Sequence, residues 1–342
     1  MPRTVKVAPR SNDDTSPSDE EIEQRRRVAR DAARALERGA RSPATLRAYR
    51  TDWEAFVAWC DSVELRALPA EPDTVSMFIG AESRRRLAVS TIERRVAAIA
   101  YYHRTADLPS AHATQKVRDT LAGIRRRRKK DKPARKTPAV DAVIKSMVDA
   151  LDVERAAGLR DRALLLLGFA GALRRSELVA LDVEDLAVRP SLGLTLTVRA
   201  SKTDQGGQGE TLAILAVASP SGKPSRYCPV TAVDAWLRFA EIGSGALFRS
   251  LRKGDRVTAE RLSDKGVARI VKQAARAAGH EEADFAGHSL RRGFLTSAGR
   301  SRADLFKMMA QSRHKSIDMV RVYVDEGDAF ERHAASGMLA ED

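Results

Sequence analysis

Two histidines and a tyrosine lie within the 36 residues from His288 to Tyr323, with an arginine three places after the first histidine. In His288-Ser289-Leu290-Arg291 the imidazole and the guanidinium are three residues apart, so on a helix both reach one face and can grip one anion. His314 follows, and Tyr323 comes nine residues later. The tyrosine sits in Met319-Val320-Arg321-Val322-Tyr323-Val324, where apolar neighbours fix the backbone and the phenol is left to point elsewhere. The set suits chemistry on a phosphodiester. A free phenol has a pKa of about 10, so it attacks at neutral pH only with positive charge or a base beside it. Taken singly, none of these residues decides anything: His-x-x-Arg is common, and a tyrosine among valines is usually a core residue with its hydroxyl satisfied.

Other parts of the chain offer partners. The apolar run Ala163–Leu173 is followed by Arg174-Arg175-Ser176-Glu177-Leu178, in which Arg174 and Glu177 share a helix face and the carboxylate can orient the guanidinium. An arginine at the end of such a run either snorkels outward or is held for an anion, and both readings stand. Residues 193–199 and 210–215 alternate with period two around a glycine-rich turn, which predicts a β-hairpin. Lys202 opens that turn. A loop lysine is most often solvated, yet a hairpin can also deliver one to a substrate. No metal-ligand spacing, phosphate-binding glycine loop or dinucleotide fingerprint occurs, so no cofactor is expected.

Composition bounds the partner. The 342 residues include 60 Lys and Arg against 46 Asp and Glu, a formal charge of +14 that favours a polyanion. No basic amphipathic helix with a broad apolar face stands out at either end, which disfavours a membrane surface, and the longest apolar run is too short to cross a bilayer. Cys60 and Cys228 are the two cysteines, which excludes a disulfide framework and fits a reducing cytoplasm.

The chain divides into a polar tail (1–20), a helical unit (21–124), a basic linker (125–137) and a second unit (138–342). In the helical unit, helices are predicted over 21–38, from Ser42-Pro43, from Pro72, from Ser90, and over 112–128. Arg47, Arg50, Arg94 and Arg95 fall outside the apolar stripes and are expected to face a nucleic acid. Arg126, Arg127, Arg128, Lys129 and Lys130 lie in the densest charge run, where like charges resist packing and neutralised phosphates release counterions. In the second unit, helices are predicted over 140–151, 162–172 (the central core helix), 229–242 and 262–278, with an extended piece at 246–248. The fold class is mainly α with a small β-hairpin: a helical bundle followed by a mixed α+β unit.

Arg174-Arg175-Ser176-Glu177-Leu178, Lys202 in its hairpin, His288-Ser289-Leu290-Arg291, His314 and Tyr323 together resemble the tyrosine recombinase (phage integrase) family, in order and in spacing. The resemblance extends more loosely to the helical half, which looks like that family's core-binding domain, and suits a simple two-domain Cre- or Xer-like member. It implies DNA strand exchange through a 3′-phosphotyrosyl intermediate, with no metal or ATP. On that pattern Tyr323 is the nucleophile, and Arg174 and Arg291 clamp the non-bridging oxygens. Lys202 protonates the leaving 5′-oxygen, His288 assists as base or hydrogen-bond partner, His314 bonds a non-bridging oxygen, and Glu177 orients its neighbours.

The resemblance further implies a homo-tetramer on paired double-stranded sites in a prokaryotic cytoplasm, on a plasmid or phage. A C-terminal helix over about 328–340 is exchanged between protomers. Two departures accompany it. Ser312-Arg313-His314 stands where the family often has Leu-Gly-His, placing Arg313 among the expected DNA contacts. Gly171-Ala172 stands where Thr-Gly is common, a change expected to be harmless. The competing readings are a type IB topoisomerase, against which the exchanged tail argues, and a non-catalytic DNA-binding or accessory protein, against which the full set of reactive residues argues.

Overall fold

The computed structural model describes residues 18–39, 41–128, 137–199 and 209–325. Lys129, Lys130, Lys202 and the expected exchange helix 328–340 lie outside them, as does most of the expected tail. The chain forms two compact units, residues 1–133 and 134–342.

The described part of the first unit is helical throughout its regular structure: α1 (Asp19–Gly39), α2 (Pro43–Ser62), α3 (Pro72–Arg84), α4 (Val89–Thr105) and α5 (Gln115–Arg127). Helix α2 starts where the sequence signals it, with the Ser42 hydroxyl accepting from the Thr45 amide at 3.2 Å and Pro43 in the first turn. Phe56, Cys60, Phe78, Ile79, Ile92, Ile99 and Val117 meet in its core. Helix α4 begins at Val89 with Ala88 as its cap, so Ser90 lies inside the first turn and not at the cap. Helix α5 carries the start of the basic run as far as Arg127, whose cations suit the negative end of the helix; residues 125–127 are therefore helix and not linker.

The arginines of this unit separate into two groups. Arg47, Arg50, Arg126 and Arg127 are exposed. Arg95 is not the outward cation expected: its side chain is 15 % exposed and pairs with the buried carboxylates of Glu82 and Asp52. Arg94 gives Asp52 two bonds of 2.7 and 3.1 Å, and Arg128 donates to the carbonyls of Ser83 and Leu87. A buried carboxylate must be paired, and Arg94 and Arg95 are committed to Asp52 and Glu82, Arg94 from an exposed position, while Arg128 is held by backbone carbonyls.

The second unit packs around α7 (Ala156–Ala170), whose Leu164, Leu165 and Leu167 are fully buried. It starts six residues before the predicted 162. Helices α6 (Asp141–Asp149), α8 (Arg175–Ala180), α9 (Pro229–Phe239), α10 (Asp264–Ala277), α11 (Ser289–Arg300), α12 (Leu305–Ser312) and α13 (Ile317–Asp325) complete its α-helices among the described residues. Trp236 of α9 is fully buried and donates its indole N–H to the Leu247 carbonyl at 2.8 Å. Gly293 of α11 lies so close to the Ala139 backbone that a Cβ there would stand 1.8 Å from the Ala139 oxygen, so glycine lets this helix meet the start of the unit.

The predicted hairpin is present as β2 (Gly193–Val198) and β3 (Glu210–Leu215), with Leu196 opposite Leu212 and Leu194 opposite Ile214 on the buried face. A third strand, β1 (Leu186–Arg189), pairs antiparallel with β2 and was not predicted, because its residues past Leu186 are exposed and carry no alternation. A second hairpin, β4 (Arg249–Arg252) with β5 (Arg256–Arg261), was missed for the same reason: Leu251 against Val257 is its one apolar pair. Among the described residues no helix is long and apolar enough to cross a membrane.

Candidate active site

The site is assembled at the C-terminal end of α7. That helix stops in a Schellman turn, with the Leu173 amide donating to the Gly168 carbonyl at 3.0 Å and the Ala172 amide to the Phe169 carbonyl at 2.9 Å. The turn needs a left-handed residue, and Ala172 takes it with φ +45°. The exchange of glycine for alanine is thus not free of consequence: it puts a side chain into a conformation that glycine adopts without strain. Leu173 is buried, and the chain emerges at Arg174, the cap of α8.

Glu177, three residues on, is 2 % exposed and organises what surrounds it. Its carboxylate accepts from the Arg174 amide at 2.8 Å and from the Arg174 guanidinium. It also accepts from Arg313 Nη2 at 2.8 Å. Burial alone would raise this carboxyl, but Arg313, the Arg174 amide and the Arg174 guanidinium outweigh it and hold Glu177 below the usual carboxylate range.

Arg313 corrects an expectation. Its side chain is 1 % exposed, so it is no surface contact for DNA. It caps α12 in the left-handed region, φ +55°, where glycine is the ordinary choice. Besides Glu177 it binds the carbonyls of Gly171, Ala172 and Gln311 at 3.2, 3.1 and 2.9 Å. Arg291, on the first turn of α11, donates Nη1 to the same Ala172 carbonyl at 2.8 Å, and Gln311 donates to the Ala170 carbonyl at 2.9 Å. The last carbonyls of α7, left over by the helix, are satisfied by side chains of the site itself.

Arg174 and Arg313 thus share one buried carboxylate, and Arg291 lies alongside on the Ala172 carbonyl that Arg313 also binds, an excess of positive charge that an anion would balance. Burial first, then Arg174 and Arg313, push the Arg291 guanidinium down to about 9, with Glu177 and Tyr323 acting the other way. His314 lies beside it, Nε2 3.3 Å and Nδ1 3.4 Å from Arg291 Nη2. Burial, followed by the charges of Arg291, Arg174 and Arg313, pushes His314 down to about 4, so its ring is neutral at pH 7.

Tyr323, on α13, packs half-buried against Leu295, Met308 and Val320. The Arg292 guanidinium sits 5.9 Å from its ring centroid. His288 is the cap residue of α11 and is exposed, whereas Arg291 is buried, so this pair spans the helix entrance with unequal burial. Lys202 lies outside the described residues, but β3, the strand that follows it, reaches the site. Glu210, the first residue of β3, has its carboxylate 3.9 Å from Arg313 Nε, and Gln311 donates to the Ala213 carbonyl at 3.1 Å. Sequence reasoning missed Ser312, which is fully buried with its hydroxyl 2.8 Å from His314 Nδ1. Its signal was the departure from Leu-Gly-His itself.

Residues 140–329, more than half the chain, match the phage integrase family, and residues 34–107 match the phage integrase N-terminal SAM-like domain. The chain belongs to the phage integrase family of tyrosine recombinases. An integrase/recombinase XerD homolog of Selenomonas ruminantium is 39 % identical over 320 residues, covering 93 % of this chain and 91 % of that protein. The tyrosine recombinase XerC of Xanthomonas axonopodis pv. citri is 27 % identical, covering 82 % and 85 %. Two solved recombinases share the fold. The Tn1549 transposon integrase in complex with transposon right end DNA has a TM-score of 0.57 at 16 % identity, over 91 % of this chain and 98 % of that one. The XerH recombinase bound to a palindromic difH substrate has a TM-score of 0.54 at 15 % identity, over 78 % and 72 %. Phage integrase family members of this Xer type are DNA cleaving and rejoining enzymes.

Proposed function

We propose that the chain cuts and rejoins duplex DNA at specific sites through a covalent bond between Tyr323 and a 3′-phosphate. The observation that carries this reading is the gathering of Arg174 and Arg313 on buried Glu177, with Arg291 beside Arg313 on the Ala172 carbonyl, neutral His314 against Arg291, and Tyr323 on the adjoining helix. Attack by the Tyr323 oxygen on phosphorus breaks the bond to the 5′-oxygen. The phenol proton passes to His288, and the leaving oxygen takes a proton from Lys202, because an alkoxide is a poor leaving group. Arg174 and Arg291 stabilise the non-bridging oxygens as charge grows on them, and His314 serves beside them at those same oxygens. Return of a 5′-hydroxyl reverses the step and frees Tyr323. The phosphotyrosine conserves the bond energy, so the scheme needs no ATP.

Incubation with a nicked duplex that loses its 5′-fragment on cleavage tests this. An SDS-resistant adduct carrying the 3′-phosphate side of the break is expected; an adduct on the 5′ side would refute the assigned polarity, and none at all would refute the chemistry.

The exposed Arg126 and Arg127 at the end of α5, with Arg47 and Arg50 on α2, would hold phosphates of the duplex. Neutralising Arg126 and Arg127 together is expected to weaken binding alike at all sequences and to reduce the slope of log K against log[salt] by about 2. A loss confined to particular sequences, read by titration at several salt concentrations, would contradict this.

In the same reading the enzyme acts as a tetramer on paired sites, with residues 328–340 seated on a neighbouring protomer. Phe330, Ala334, Met338 and Leu339 recur at roughly helical spacing. An apolar groove of about 510 Å³ lined by Leu166, Phe169, Leu215, Phe294, Ala298 and Met308 supports it.

A further inference from the structure

A carboxylate set against a guanidinium that must bind a phosphate does two opposed things. Glu177 orients Arg174 through the amide and the side chain, and its negative charge also weakens the field that Arg174 can offer an anion. In a buried site that weakening is large, because charges are screened less there than in water. Arg313 stands on the other side of the same carboxylate, with Nη2 2.8 Å from Glu177 Oε2. Its Nη1 binds the Gly171 and Gln311 carbonyls at 3.2 and 2.9 Å, and its Nη2 binds the Ala172 carbonyl at 3.1 Å. With both terminal nitrogens held and the side chain 1 % exposed, this guanidinium does not reach a substrate. The Glu210 carboxylate, 39 % exposed, lies 3.9 Å from Nε, too far to accept a hydrogen bond. Nor does the backbone need a side chain here, since φ is +55° and glycine would sit in that turn without strain.

We propose that Arg313 is a positioning residue that cancels the charge of Glu177, so that the carboxylate orients Arg174 while Arg174 and Arg291 keep their positive charge for the scissile phosphate. This deepens the strand-cleavage reading and rests on it. The retained charge counts most as attack proceeds, when negative charge builds on the non-bridging oxygens. Arg291 has its own bond to the Ala172 carbonyl at 2.8 Å, so removing Arg313 leaves Arg291 seated and takes away charge. The field of Arg313 reaches that far: after burial and Arg174, it is the next cause that pushes the Arg291 guanidinium down.

The test follows single-turnover adduct formation by the full chain on the nicked duplex, beside duplex affinity and a urea midpoint. Arg313→Met keeps the length of the side chain without its charge, and is expected to slow adduct formation on the order of 100-fold while affinity changes less than about twofold. Adding Glu177→Gln removes the uncancelled carboxylate and is expected to bring the rate back to within about tenfold of wild type, with Arg174 held by a weaker acceptor. A duplex with a methylphosphonate at the scissile position carries no charge there, and on it the loss from Arg313→Met is expected to shrink to about tenfold or less, whereas a purely structural support would cost the same on both duplexes. An Arg313→Met chain as fast as wild type overturns the proposal, as does a loss equal on phosphate and methylphosphonate, or a double variant no faster than the single one. If Arg313→Met does not fold, the double variant, in which neither buried charge is left unpaired, decides the matter: a rate more than about tenfold below wild type overturns the proposal. No adduct from the wild type sinks strand cleavage itself, while a wild-type adduct with the variants out of this order sinks the role of Arg313 alone.

Discussion

Tyr323→Phe is expected to abolish the covalent adduct, a loss on the order of 10⁴-fold or more, while folding and duplex binding stay as they are. The ring is what packs against Leu295, Met308 and Val320 and what the Arg292 guanidinium approaches, and phenylalanine keeps the ring. Only the oxygen is lost. Two of the other four tyrosines are poor substitutes: burial raises the Tyr102 phenol, and the hydrogen bond to Asp149 raises that of Tyr227. An SDS gel beside a binding titration reads both quantities, and an adduct that survives the substitution would move the nucleophile to another residue.

Glu177→Gln is expected to lower stability by about 3 kcal/mol at neutral pH, since it leaves Arg313 buried without its counter-charge. The pH dependence has a definite sign. Glu177 is held below its unfolded value, so its contribution is fully present above the unfolded carboxyl pKa of about 4.3 and is lost as pH falls through the lower folded value. The difference in urea midpoint between wild type and variant should therefore be wide at neutral pH and close in acid. A difference that stays constant across that range would show that Glu177 acts by packing and not by charge. Adduct formation should fall as well, because Arg174 loses its orienting carboxylate.

How far the fold could be read from the chain follows from where its apolar residues are. Helices such as α2 and α9 carry an apolar stripe and a proline in the first turn, and both were found with their starts correct. The β2–β3 hairpin was found because its leucines alternate. Strands β1, β4 and β5 were not, because their backbones are paired while their side chains stay in water, and periodicity reports burial, not pairing.

The same distinction runs through the site. Residue type and spacing offered Arg174, Glu177, Arg291, His314 and Tyr323 as candidates, and it was their resemblance in order and spacing to the tyrosine recombinases that joined them into one site. Which arginines face solvent was decided only in three dimensions. Arg95 and Arg313 read as surface cations, yet Arg95 is largely shielded and Arg313 buried, because Asp52, Glu82 and Glu177 are buried carboxylates that take the nearest guanidinium. The pairing of Arg313 with Glu177 joins residues 136 positions apart, and the bond from Arg291 to the Ala172 carbonyl joins residues 119 apart. Local sequence determines what a segment is able to do, while the partner that completes a buried charge or a hydrogen-bond chain comes from distant parts of the fold, so tertiary packing alone selects it.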